Sequence, residues 1–543
     1  MKPAVLPGQM MQSPLLISSL LRHAARYHGD TEIVSRPVNG EIHRYNFKAL
    51  AKRARKLARA VDALGISMGD RIGTLAWNGH RHLEIYYAVA GFGAVCHTIN
   101  PRLFQQQVVY IINHAEDRYV FFDTTFLPLV EAIASQCPNV HGWICMADRE
   151  HMPESKLPLK CYEDLLYSQD DRYFWPEFDE NSAASLCYTS GTTGNPKGAL
   201  YSHRSTLLHT YATVAPDAFC LSSHDVIMPV VPMFHVNAWG LPYSASMVGA
   251  KLVFPGAQLD GASLYELFEK EGVNFAAGVP TVWQGLLNYV QKNKLKFSTF
   301  KRTLIGGSAC PPAMATMLED EYGVEVIHAW GMTELSPVGT VSRIKGKHAG
   351  LPTEERRKLE QKQGRVICGL DMKISDGDGR ELSWDGKAFG ELMVRGYWVV
   401  ERYFKAQQSA LEEGWFPTGD VSTIDADGFM HITDRSKDVI KSGGEWISSV
   451  ELENVAMSHP AVAEAACIAC RHPKWDERPL LVVVKREGMD VGRDELLKFF
   501  EGKVAKWWAP ADVVFVSEIP HTATGKMQKL ALREQYKDYK LPA

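Results

Sequence analysis

Hydrophobic and polar positions along the first half of the chain alternate between two periods. Residues 49–64 repeat apolar positions at helical spacing with basic residues on the other face, and 70–76 read as a strand. The couple recurs as helices over 82–89, 105–114 and 127–136, each followed by a strand, over 94–99, 119–123 and 142–146. After a break it resumes, with helices over 205–214, 243–248 and 264–271 and strands over 226–231, 251–254 and 275–278. Such alternation predicts an α/β fold of parallel, doubly wound layers, because each crossover helix must pack back onto the sheet that its strands enter.

The texture changes twice. From about Gly364 short strands and turns take over, and Ser375-Asp376-Gly377-Asp378-Gly379 and Asp425-Ala426-Asp427-Gly428 are strong turn signals, which predicts a small β-rich subdomain. From Lys437 a third pattern begins. Ser448-Ser449-Val450-Glu451 is a capping box opening a helix that runs toward Ser458 and stops before Pro460. Strands over 465–469, 480–485 and 513–516 and a helix over 494–505 complete a compact α+β unit. The chain thus divides into a large N-terminal domain, 1–434, a hinge at 435–438 and a small C-terminal domain, 439–543.

Composition narrows the function classes. The 543 residues are 45% hydrophobic and 22% charged with a formal net charge of -4, ordinary globular values that do not point to nucleic acid. Ten scattered cysteines suit a reducing cytoplasm better than a disulfide framework. Cys467-Ile468-Ala469-Cys470 has no second pair at zinc-site spacing and reads as buried strand cysteines. No apolar run reaches the ~20 residues of a membrane span. Residues 13–21 read as a short amphipathic helix and not as a secretory core, so a soluble cytoplasmic protein is expected, with peripheral membrane contact left open.

The candidate chemistry is concentrated in Tyr188-Thr189-Ser190-Gly191-Thr192-Thr193-Gly194-Asn195-Pro196-Lys197-Gly198. Glycines let backbone N–H groups approach an anion, hydroxyls add donors and Lys197 adds a mobile charge, a combination suited to a polyphosphate. The P-loop pattern fails, because Pro196 and Gly198 stand where it requires Gly and Ser or Thr. Leu304-Ile305-Gly306-Gly307-Ser308 ends a strand with paired glycines, and Cys310 breaks its likeness to a hydrolase nucleophile elbow.

The loop from Tyr188 to Gly198 resembles the signature loop of the adenylate-forming superfamily, which includes acyl-CoA synthetases, luciferases and peptide-synthetase adenylation domains. The likeness runs along nearly the whole chain in the family's order. It implies an enzyme that joins a carboxylic acid to AMP and then to coenzyme A, using ATP and Mg²⁺. By that resemblance Thr189, Ser190, Gly191, Thr192, Thr193, Gly194 and Lys197 grip the phosphates of ATP. Gly306, Gly307 and Ser308 lie between the adenine and the acyl pocket. In His328-Ala329-Trp330-Gly331-Met332-Thr333-Glu334 it implies that Trp330 stacks on adenine, Thr333 contacts phosphate and Glu334 binds Mg²⁺, with Thr189 as a second metal contact. Asp420 would hold the ribose hydroxyls with help from Arg435.

In Met233-Phe234-His235-Val236-Asn237-Ala238-Trp239-Gly240, the resemblance implies that His235 is a catalytic residue beside the acyl site that shifts with the catalytic state, that Val236 borders the same site, and that Trp239 gates a fatty-acid tunnel as in long-chain acyl-CoA synthetases. Lys437 would be the hinge residue. Lys526 would serve adenylation and Lys441 thioester formation, the small domain turning between two poses. Gly443 and Gly444 would allow coenzyme A to approach, and Glu445 and Trp446 would couple the domains. The resemblance is to bacterial medium- and long-chain enzymes and leaves the acid open between a fatty acid, 3-methylthiopropionate and an aryl acid. An adenylation protein that loads a separate carrier is the reading from another class. The resemblance also implies a homodimer, with residues 9–21 available as a swapped arm.

Overall fold

In a computed structural model the expected alternation closes into two large sheets. It describes residues 6–189, 195–435, 438–442, 445–521 and 527–542, with the backbone alone at 441, 445 and 446. The first sheet has seven strands in the order Lys160–Cys161, Gly142–Cys145, Asp117–Phe122, Arg71–Leu75, Val95–Thr98, Ala183–Tyr188 and Gly198–Ser202. All neighbours are parallel except the last pair, an antiparallel hairpin that carries the phosphate-loop motif at its tip.

The second sheet has nine strands. Its parallel centre runs through Glu325–Gly331, Arg302–Ile305, Phe275–Gly278, Val226–Pro229, Lys251–Phe254 and Glu32–Ser35. The helix His80–Phe92 is buried on nearly every face and packs against strands of both sheets, which explains why apolar residues fill 85–92 with no polar stripe. The helix Phe47–Ala63 instead buries one stripe, including Leu50, Ala54, Leu57 and Val61, and Asn46 caps it by accepting from the Ala49 N–H at 2.9 Å.

A four-stranded antiparallel sheet, Leu370–Ser375, Phe389–Gly396, Phe416–Ile424 and Met430–Arg435, forms the β-rich subdomain. The C-terminal domain wraps helices around a five-stranded sheet, and Cys467 and Cys470 are free thiols buried in its strand Val462–His472. The junction between the domains is polar. Asp434 accepts from the Ser449 backbone N–H at 2.6 Å and its hydroxyl at 2.9 Å, placing a carboxylate at the start of the helix Ser449–Met457. Burial raises the Asp434 carboxyl above the usual range. Lys529 answers with a 2.6 Å bond to the Ser449 hydroxyl and a 2.7 Å ion pair to Glu453.

Two expected elements shift. The helix expected over 13–21 is Ile17–Tyr27, entered from an extended Leu16, and Leu6, Met10 and Met11 remain exposed on an irregular arm. The helix expected over 494–505 ends at Phe499, followed by turns in which Gly502 takes φ +74°. The helices Pro280–Lys292 and Pro312–Tyr322 and the edge pair Glu32–Ser35 and His43–Asn46 add to the expected set. Among the described residues no helix is long and apolar enough to cross a membrane.

Candidate nucleotide and acyl site

The hairpin tip forms a closed neck. Beyond the pair Tyr188–Gly198, the Thr189 N–H donates to the Lys197 carbonyl at 2.9 Å and the Lys197 N–H donates to the Thr189 hydroxyl at 3.1 Å. Ser190, Gly191, Thr192, Thr193 and Gly194 lie outside the described residues. The Lys197 ammonium stands 4.9 Å from the centroid of the Tyr403 ring, and the Tyr403 hydroxyl donates to Glu334 Oε1 at 2.7 Å. Burial and the Glu334 charge keep the Tyr403 phenol protonated. Tyr201 donates its hydroxyl to the Thr333 carbonyl at 2.5 Å. Two tyrosines therefore join the hairpin to the Thr333-Glu334 strand end.

Glu334 is buried and supplies a single carboxylate here, and among the described residues no group of three His, Cys, Asp or Glu could hold a metal. One carboxylate beside a hydroxyl such as that of Thr189 fits Mg²⁺, which takes oxygen ligands and completes its shell with water and substrate phosphate. Tyr403→Phe keeps the ring beneath Lys197 but removes the bond that aims Glu334. Pyrophosphate exchange is expected to fall about tenfold, while Tyr403→Ala falls further because the ring is lost too.

The other end of the site is built on two strand ends. After the strand Arg302–Ile305, a Cβ at Gly306 would lie 2.9 Å from the Ala329 carbonyl oxygen and 3.2 Å from the Trp239 ring. Gly307 follows with φ +80°, so the paired glycines are required by contact and by conformation in turn. Ser308 is exposed beside them. His328 faces inward: Nδ1 meets the Gln361 carbonyl at 3.0 Å and Nε2 accepts from the Cys310 N–H at 3.4 Å. Burial lowers its pKa to about 4, which keeps the ring neutral. It braces the glycine turn from behind. Ala329 is buried in the same strand, and a Cβ at Gly331 would lie 2.2 Å from the Pro337 carbonyl oxygen, to which the Met332 N–H also bonds.

Trp330 is buried in an apolar cluster with Leu335, Met372 and Leu392, its ring over Gly339. Its indole N–H donates to Asp420 Oδ2 at 2.9 Å, while Arg435 Nε pairs with Oδ1 at 2.8 Å. Asp420 and Arg435 are cross-strand partners, and the Thr418 hydroxyl accepts from the Asp420 N–H at 3.1 Å. A carboxylate so held on both oxygens keeps its remaining lone pairs aimed in one direction.

The acyl motif is an unusual piece of backbone. Val236, Asn237, Ala238 and Trp239 have φ of 42°, 52°, 48° and 57°, and Gly240 follows at 80°. Four consecutive non-glycine residues in the left-handed region cost about 1–2 kcal/mol each. His235 enters this turn half-buried, its carbonyl accepting from the Ala238 N–H at 3.2 Å. Trp239, only 9% exposed, lays its ring against the Gly306-Gly307 turn. The glycine turn expected to border the adenine and the indole expected to gate the acyl tunnel are therefore in direct contact.

Of the remaining expected residues, Lys441 lies in the strand Ile440–Ser442, paired with Trp446 of Glu445–Ile447, which also carries Glu445. Lys437, Gly443, Gly444 and Lys526 lie outside the described residues. Tyr403, Tyr201 and Asn237 are what sequence reasoning missed. The two tyrosines lie in no motif, and only a fold that brings 201, 334 and 403 together reveals them.

The comparisons with known proteins give the family. The AMP-binding enzyme family matches residues 20–404, and the AMP-binding enzyme C-terminal domain matches residues 451–526. A 3-methylmercaptopropionyl-CoA ligase of Ruegeria lacuscaerulensis is 56% identical over 98% of this chain and 99% of its own length. A medium-chain-fatty-acid–CoA ligase of Ectopseudomonas oleovorans is 54% identical over 98% of each chain. A long-chain-fatty-acid–CoA ligase of Thermus thermophilus is 46% identical over 98% of each. Among solved structures, an anthranilate CoA ligase in complex with anthranoyl-AMP superposes with a TM-score of 0.85 at 23% identity, covering 96% of this chain and 98% of its own, a likeness of fold.

Proposed function

This chain belongs to the AMP-binding, adenylate-forming enzyme family and is an AMP-forming acid–thiol ligase, and we propose that its acid is a medium- or long-chain fatty acid. The observation that carries the reaction is the joined constellation of Lys197, Tyr403 and Glu334 at one end and Trp330, Asp420 and Arg435 at the other. One end suits a polyphosphate and the other a ribose, so a nucleoside triphosphate spans them.

The carboxylate oxygen of the acid attacks the α-phosphorus of ATP, the bond to the β-phosphate oxygen breaks, and pyrophosphate leaves. Coenzyme A then attacks the acyl carbonyl as its thiolate and AMP departs. No covalent enzyme intermediate is needed, so the protein contributes position and charge. Asp420 takes the ribose hydroxyls, with Arg435 and the Trp330 N–H fixing its rotamer. Thr333, Thr189, Lys197 and the loop 190–194 take the phosphates, and Glu334 would hold Mg²⁺, which neutralises phosphate charge when bound. Gly306, Gly307 and Ser308 border the adenine, Met332 and Gly331 shape the floor, and His235, Val236 and Trp239 line the acyl side. The hinge is 435–438, turning at Lys437. Lys526 enters for the first step. Lys441 replaces it for the second, with Gly443, Gly444, Glu445 and Trp446 on the coenzyme A side.

The 56% identical relative favours a second acid, 3-methylthiopropionate, which is short and carries a thioether. A coenzyme A-dependent AMP-release assay from propionate to palmitate, including 3-methylthiopropionate and cinnamate, separates them. A maximum at eight or more carbons supports the fatty acid (about tenfold over propionate, by the addition of apolar contact). A maximum at 3-methylthiopropionate overturns it.

Ten free cysteines, eight of them buried, suit a reducing cytoplasm. The exposed arm with Leu6, Met10 and Met11 is free to cross to a second copy. Light scattering at micromolar protein is expected to give the mass of a dimer, and a monomer would refute it.

A further inference from the structure

The left-handed turn at 236–240 needs something to hold it. Asn tolerates this conformation better than most residues, but a β-branched Val at φ 42° is an outlier that only its surroundings can impose. The surroundings are specific. Asn237 is 3% exposed, and its carboxamide is pinned from the phosphate-loop hairpin: Nδ2 donates to the Ser185 hydroxyl at 3.0 Å, and Oδ1 accepts from the Cys187 thiol at 3.6 Å. The Tyr86 hydroxyl donates to the same Oδ1 at 3.3 Å and also meets the Met233 carbonyl just upstream of the turn. Ser185 and Cys187 are alternate residues on one face of the strand Ala183–Tyr188, which runs directly into Thr189 of the phosphate neck.

We propose that Asn237 is the positioning residue of the acyl gate: its carboxamide latches the strained turn to the phosphate-loop strand and thereby keeps the Trp239 indole over Gly306-Gly307. The proposal rests on the reading of Trp239 as bordering the acyl site. One residue separates the latch from the indole along the backbone, and that residue, Ala238, carries only a methyl group and can make no polar bond to hold the turn itself. Strain stored in Val236, Ala238 and Trp239 is balanced by the buried carboxamide bonds, so removing those bonds lets the turn relax. Relaxation carries the indole off the glycines and opens the acyl side without nucleotide. The hairpin that binds phosphate and the residue that closes the acyl pocket thus share one support. A change in that hairpin on ATP binding acts on the gate through Ser185 and Cys187.

Asn237→Gly separates the two roles of the residue, because glycine keeps the left-handed backbone and removes the latch. Calorimetric titration of decanoate into ATP-free protein reads the gate. If the closed state dominates in the free enzyme, apparent affinity is lowered by the open fraction, and Asn237→Gly is expected to bind decanoate about tenfold more tightly than the parent. Ser185→Ala, which leaves the turn sequence intact, is expected to give about threefold, and covers the case in which the glycine variant does not fold. Trp239→Ala is the comparator and should tighten binding as well. Tightening by Trp239→Ala with none from Asn237→Gly or Ser185→Ala overturns the latch and leaves the gate standing. No change in any of the three overturns the gate and the latch together. A lowered melting temperature with unchanged decanoate affinity marks Asn237 as merely structural and also overturns the proposal.

Discussion

Lys526→Ala is expected to abolish acyl-adenylate formation, by about a thousandfold or more, while conversion of supplied acyl-AMP and coenzyme A to thioester stays within about threefold. The physical argument is one of timing. The α-phosphate accumulates negative charge as the carboxylate attacks it, and a lysine spanning the two anions offsets repulsion that is greatest at that moment. In the second step the bond being broken is already made, and the attacking group is a thiolate. Lys526 follows the Gly- and Thr-rich run His521-Thr522-Ala523-Thr524-Gly525, which suits a side chain that enters the cleft for one step and leaves for the next. Pyrophosphate exchange measures the first half-reaction and thioester formation from synthetic acyl-AMP measures the second. Equal loss in both would remove the case for two poses of the small domain. Lys441→Ala should give the mirror image.

Asp420→Ala is expected to damage both halves, because the AMP moiety stays bound from the first step to the last. Its kcat/KM for ATP should fall about a hundredfold, and KM for supplied acyl-AMP should rise by a similar factor. Truncation removes the acceptor for two ribose hydroxyls, and it also leaves the Trp330 N–H and the Arg435 guanidinium without the carboxylate that orders them. Trp330→Phe comes closer to isolating one of these effects, since it keeps an aromatic in the same apolar cluster and deletes the 2.9 Å bond along with part of the ring over Gly339. It should cost about fivefold. If Asp420→Ala lowered only the rate of adenylation and left acyl-AMP binding intact, the carboxylate would not be holding the ribose.

Asp420 and Lys526 also mark the reach of local sequence. The motif around Asp420 and the lysine near the C-terminus are short strings, and their order along the chain carries the family resemblance. The bond from Trp330 to Asp420 joins positions ninety residues apart and has no local signature. The motif offers the indole as a stacking surface, and the fold adds the N–H as the element that fixes the carboxylate. The resemblance places His328 in the nucleotide motif, and the fold adds that it braces the glycine turn, because burial favours its neutral form and both ring nitrogens find partners inside. Helix ends are the least legible features. The helix that ends at Phe499 is followed three residues on by a glycine in the left-handed region, and the one that starts at Ile17 is entered from an extended Leu16.

By itself the sequence determined whatever depends on short range. It determined the strand–helix alternation, since apolar period follows from which face an element buries. It determined the three textures of the chain and a loop of glycines, hydroxyls and a lysine suited to a polyphosphate, while the reaction class came from the order of motifs along the chain, by resemblance to a family. Only the tertiary structure decided what depends on distant side chains meeting. It placed Tyr403 between Lys197 and Glu334, wedged Trp239 onto the two glycines, and held four residues of the acyl turn in a conformation they would not adopt alone. The reason is that local preference disfavours that turn, and only packing and buried hydrogen bonds contributed by strands far away in sequence are strong enough to reverse it.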